Sequence, residues 1–115
     1  MTIADAAAIL NCKTVCGAQN MDRQLNSACG ADLMSDVLTF VKEDCILLTG
    51  MVNPHVVRTA EMLDVPCIVF VRGKVPTQEM IELAEQTGVT LLTCEYTLYE
   101  ACGRLYKEGL PPCGK

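Results

Sequence analysis

The chain has 115 residues, half of them hydrophobic, only 4% aromatic, and a formal net charge of −5. That length suits one domain with a real core, and the apolar content excludes a disordered chain. The acidic balance and the missing Trp argue against a phosphate-backbone surface or a stacking platform, so no nucleic acid is expected.

In chain order, Thr2 caps a first helix over Ile3 to Leu10, with Asp5 in capping-box position. Met1 to Asn11 carries neither a basic leader nor an apolar run, so no secretory signal is expected. No stretch approaches the length of a membrane span, and the expected location is cytoplasmic. A short strand lies near Lys13 to Cys16 and is closed by Gly17. Gln19 to Arg23 is a polar turn, and Leu25 to Gly30 is extended. Asp32 reads as the cap of a second helix, from Leu33 to about Lys42.

The next units are plainer. Cys45 to Thr49 (CILLT) is a continuous apolar run, as expected of a strand buried on both faces. After Gly50, Asn53 and Pro54 form an N-cap followed by Pro at the first helical position, and that helix reaches about Leu63. Cys67 to Val71 (CIVFV) repeats the buried-strand pattern. Pro76 and Thr77 open a helix that Gly88 ends. Thr90 to Thr93 is a further strand. Thr97 and Glu100 form a capping box for a last helix that stops at Gly109, before Pro111 and Pro112.

This alternation predicts one three-layer α/β domain over residues 1–115, with a mostly parallel sheet flanked by helices. Such sheets bind ligands beyond the carboxyl ends of their strands. That rim would collect Gly30, Asp32, Thr49, Gly50, Asn53, Arg72, Gly73 and Lys74, with Gly17 and the stretch Cys94 to Thr97. The Gly50 turn leads into a helix N-terminus, and Arg72 and Lys74 add two cations; together they suit a small anionic ligand.

Other motifs carry less. Gly109, Gly114 and Lys115 have GxxxxGK spacing, but the stretch follows a helix and contains Pro111 and Pro112, so no phosphate loop is expected. His55 is the only histidine and has no evident base or nucleophile partner, and neither Ser27 nor Ser35 sits in a GxSxG setting. Asp32 and Asp36 lack a third metal ligand. With no catalytic set, a binding or regulatory module is expected rather than an enzyme, and no cofactor.

Eight cysteines are present, without a CxxC pair. Reduced thiols are expected, with Cys45, Cys67 and Cys102 as small core hydrophobes and Cys113 in a mobile tail. The alternative is an iron–sulfur cluster on Cys16, Cys29 and Cys94, which fall at strand ends. Met34, Met51 and Met62 belong to either core or interface.

Several segments together resemble the DRTGG domain family. They are Asp22-Arg23; Ala28 to Val37 (ACGADLMSDV); Thr49-Gly50 with Asn53-Pro54; Phe70 to Gly73; and Tyr99 to Tyr106. The Thr-Gly-Gly of the family name falls on Asn26-Ser27-Ala28, so the double Gly is replaced. The resemblance implies a fold like the N-terminal domain of HPr kinase and a regulatory or accessory role without kinase activity. It also implies a partner linked to an iron-only hydrogenase system; a homo-oligomer is expected as well.

Overall fold

The computed structural model describes residues 1–113; Gly114 and Lys115, part of the GxxxxGK spacing, lie outside the described residues. Five strands form one sheet in the order β1-β5-β4-β3-β2, where β1 is Lys13–Cys16, β2 Ser27–Gly30, β3 Cys45–Thr49, β4 Cys67–Phe70 and β5 Thr90–Thr93. Strands β2 to β5 are parallel neighbours in chain order. Strand β1 pairs antiparallel with β5, and its register slips between Thr14 and Cys16.

The five helices are α1 (Ile3–Ile9), α2 (Met34–Phe40), α3 (Pro54–Met62), α4 (Gln78–Thr87) and α5 (Leu98–Lys107). Stepwise right-handed crossovers from β2 to β5 place α2, α3 and α4 on one face. There Val37, Val56, Val57, Ala60, Met80 and Ala84 pack on Cys45, Leu47, Ile68, Phe70 and Leu91. Helices α1 and α5 cover the other face, where Ile3, Ala6, Leu10, Ala101 and Leu105 pack on Ile46, Leu48, Cys67, Val69 and Leu92. The expected three-layer α/β arrangement is therefore present. Alternate residues of CILLT and CIVF feed opposite cores, which is why neither run alternates with polar residues.

Local signals explain the helix starts. Thr2 and Asp5 make the reciprocal capping box of α1. Asn53 accepts from the His55 N–H at 2.8 Å, with Pro54 at the first position of α3. Thr97 accepts from the Glu100 N–H, but the Glu100 side chain is drawn to Arg104 one turn on, so the second half of that box is not made.

Two expectations change. Helix α2 is shorter than expected, and its N-cap position is Leu33, which has no capping side chain. Cys113 is not loose. Pro112 bridges Ala28 in parallel, the Ala28 N–H donates to the Pro111 carbonyl, and the Cys113 N–H donates to the Ala28 carbonyl. The Cys113 sulfur accepts from the Lys42 N–H at 3.0 Å, just past the end of α2.

Gly17 closes β1 with φ +86° and lies directly on Thr90 of β5. The Thr90 hydroxyl donates to the Gly17 carbonyl at 3.1 Å.

Candidate functional site

The carboxyl ends of β2, β3, β4 and β5 form one rim, and the loops leaving it diverge. The loops after β2, β3 and β4 lead to helices on one face, whereas the loop after β5 leads to α5 on the other. This divergence between β4 and β5 is the place where open α/β sheets form a ligand crevice. Two backbone bonds bridge it, Arg72 N–H to the Tyr96 carbonyl at 2.8 Å and Gly73 N–H to the Cys94 carbonyl at 2.9 Å.

Most of the expected rim residues come together. Asp32 corrects its expected role: it does not cap α2 but reaches the neighbouring strand. Its carboxylate accepts from the Gly50 N–H at 2.7 Å and from the Thr49 hydroxyl at 3.1 Å. Thr49 is fully buried, and its oxygen in turn accepts from the Met51 N–H. Asp32, Thr49, Gly50 and Met51 are thus one network that fixes the β3–α3 turn.

Asp32→Ala would leave the buried Thr49 hydroxyl and the Gly50 N–H without their acceptor. We expect a loss of about 1–2 kcal/mol in urea unfolding. Asp32→Asn keeps one acceptor oxygen and should lose less. Equal losses for the two variants would disprove this account.

Arg72 lies across Gly50. A methyl group at Gly50 would collide with the Arg72 guanidinium, so the missing side chain makes room for it. Arg72 itself holds φ +57°, a left-handed conformation unusual for a branchless cation outside glycine-rich turns. Gly73 follows at φ +68°. Arg72 and Lys74 are exposed, and among the described residues neither is in a salt bridge. The Glu95 carboxylate lies beside Gly73, so the rim carries acids as well as bases. Asn53 is spent on the cap of α3: Pro54 has no N–H, and the His55 and Val56 N–H groups donate to the Asn53 side chain and carbonyl, so what this helix start offers the rim is the positive end of its dipole.

Gly30 is set apart. It packs against Cys102 of α5 and lines an open groove of about 960 Å³ on the α1/α5 face. Tyr99, Tyr106 and Pro112 also line it, and Thr97 joins it to the rim. Sequence reasoning missed this groove. Its signal was the seven-residue spacing of Tyr99 and Tyr106, which puts two exposed aromatics on one stripe of α5.

The cysteines disagree with the cluster alternative. Cys16 is on β1 and Cys29 on β2, at opposite edges of the sheet, and Cys94 packs in the core of the other face from both. Among the described residues, no group of three or more His, Cys, Asp and Glu side chains is placed to hold a metal ion. Cys45 and Cys67 are fully buried, and burial pushes both thiols well above their ordinary range, which keeps them neutral. His55 is exposed on α3.

No helix among the described residues is long and apolar enough to cross a membrane. The sequence matches the DRTGG domain over residues 5–107. No curated protein matches it. Among solved structures, the fold is similar to that of the CBS and DRTGG domains of the regulatory region of Clostridium perfringens pyrophosphatase, complexed with its activator diadenosine tetraphosphate. The TM-score is 0.72 at 19% identity, over 96% of this chain and 47% of that one, so the chain spans about half of that neighbour's length.

Proposed function

The chain belongs to the DRTGG domain family, and on that footing we propose that it is a regulatory domain that binds a nucleotide-like anion at the carboxyl-end rim of its sheet. The observation that carries this reading is Arg72, in no salt bridge among the described residues and held over Gly50 beside the N-terminus of α3. A guanidinium there offers a planar donor fork, and the N-terminus of α3 adds the positive end of a helix dipole. Lys74 supplies a second charge. Asp32 acts indirectly, by fixing the turn. The activator bound by the pyrophosphatase region supports a nucleotide as the class of ligand.

Titration with ATP, ADP, AMP and diadenosine tetraphosphate, followed by thermal unfolding, tests this. A true ligand at a hundred times its Kd stabilises the folded chain by about 2.7 kcal/mol. Gly50→Ala, whose methyl displaces the guanidinium, should abolish most of that gain. No stabilisation by any of the four would remove the reading.

A protein partner is the second reading, favoured by the groove on α5 and by Tyr99, which is 90% exposed. The partner expected from the family resemblance is part of an iron-only hydrogenase system in the cytoplasm. Self-association would use α2 and its N-cap, where Leu33, Leu38 and Phe40 are all about half exposed or more. Anaerobic affinity purification from the native host, with light scattering of the pure chain, checks both.

A further inference from the structure

We propose that Cys12 and Cys94 form a reversible dithiol–disulfide pair that ties the start of β1 to the rim. The register carries this inference. Lys13 pairs with Thr93 in the antiparallel β1–β5 ladder, so the next residues outward along both chains are Cys12 and Cys94. Directly opposed antiparallel residues have Cα atoms about 4.5–5.5 Å apart, inside the range a disulfide spans. Both side chains pack in the α1/α5 core, so they leave the sheet on the same face. No other cysteine pair of the chain occupies opposed antiparallel positions, because β2 to β5 are parallel.

The chemistry also fits. Cys94 is 3% exposed, while Cys12 is partly open to solvent. The hydrogen bond that the two thiols share lowers the Cys94 thiol to about 7 and raises that of Cys12. The pair therefore loses its first proton readily and its second with difficulty.

The oxidant is a low-molecular-weight disulfide. Cys12, reached from solvent, passes its proton to the Cys94 thiolate along their shared hydrogen bond as its sulfur attacks one of the disulfide sulfurs, which forms a mixed disulfide and expels one small thiolate; that thiolate takes the proton back from Cys94. The Cys94 thiolate then attacks the Cys12 sulfur, closes the protein S–S bond and expels the second. The protein loses two electrons, the small disulfide gains them, and the two thiol protons end on the two released thiols.

The link is placed to act on the rim. The Cys94 carbonyl accepts from Gly73, and two residues on, the Tyr96 carbonyl accepts from Arg72. Oxidation would anchor the segment that holds both.

The test uses the reduced full chain, equilibrated with oxidised glutathione, alkylated, digested and mapped by mass spectrometry. Two of the eight thiols should disappear into one Cys12–Cys94 crosslinked peptide, and dithiothreitol should restore them. Closing so long a loop should raise Tm by roughly 10 °C. Cys12→Ser and Cys94→Ser should each lose the crosslink and the Tm shift, with a mixed glutathione disulfide accumulating on Cys12 in the second. A full complement of free thiols in the oxidised wild type, or a crosslink joining any other pair, overturns the proposal, and this wild-type result does not depend on the variants folding.

Discussion

Replacing Gly17 by Ala should cost about 3 kcal/mol and lower Tm by roughly 10–20 °C. Two effects add. The backbone at φ +86° is left-handed, which costs a residue with a side chain about 1–2 kcal/mol. The new methyl would also lie 2.5 Å from the Thr90 hydroxyl oxygen and 2.7 Å from the Thr90 Cα. Because one of those atoms is backbone, no rotamer change relieves the overlap, and β1 must move away from β5.

Gly109→Ala is the matched control. Gly109 is also left-handed, at φ +100°, but an added methyl there meets nothing within 4 Å. The difference between the two variants isolates the steric part. Denaturant titration of both chains would settle it, and equal losses would sink the account.

Arg72→Ala should weaken nucleotide binding by about 10- to 100-fold while leaving stability within about 0.5 kcal/mol. The guanidinium is exposed and in no ion pair among the described residues, so folding owes it little. Ala at φ +57° bears the same backbone cost as Arg, and that cost cancels in the comparison. Arg72→Lys keeps the charge but loses the planar fork, and should fall between the two. Binding should weaken as salt is raised, since an exposed charge is screened. Calorimetric titration of wild type and both variants provides the measurement. Unchanged affinity in Arg72→Ala would move the ligand away from the rim.

The two buried strands were legible because a run such as CILLT, too short for a helix and flanked by Asp44 and Gly50, has few other homes. The caps at Thr2 and Asn53 were legible because their partners are two or three residues away. The miss at Asp32 has the opposite cause. Its partners, Thr49 and Gly50, are distant in sequence and become neighbours only when β2 and β3 pair. Next to a helix, a short acid reads as a cap, and nothing local distinguishes a cap from a clasp between strands.

The direction of β1 was hidden for a similar reason. KTVC has no feature that sets parallel against antiparallel pairing. Strand order decides which cysteines meet, so the alternative trio of Cys16, Cys29 and Cys94 is dispersed, while Cys12 meets Cys94. The rim itself was largely legible, since Gly50, Arg72 and Gly73 follow strands that were correctly placed. The contact of Arg72 with Gly50 was not, because it crosses from one strand end to the next.

The short segment Pro111–Cys113 beside β2 has a consequence for how copies of the chain can meet. An open parallel edge offers donors and acceptors to any passing strand. Here Ala28 already spends both of its outward groups on the segment. The segment cannot pass the ladder on at Pro111 or Pro112, which have no N–H to give. At the far edge, the irregular register of β1 and the charge of Lys13 discourage an incoming strand. Sheet-to-sheet polymerisation is thus disfavoured at both edges, which turns assembly of this chain toward its helical faces.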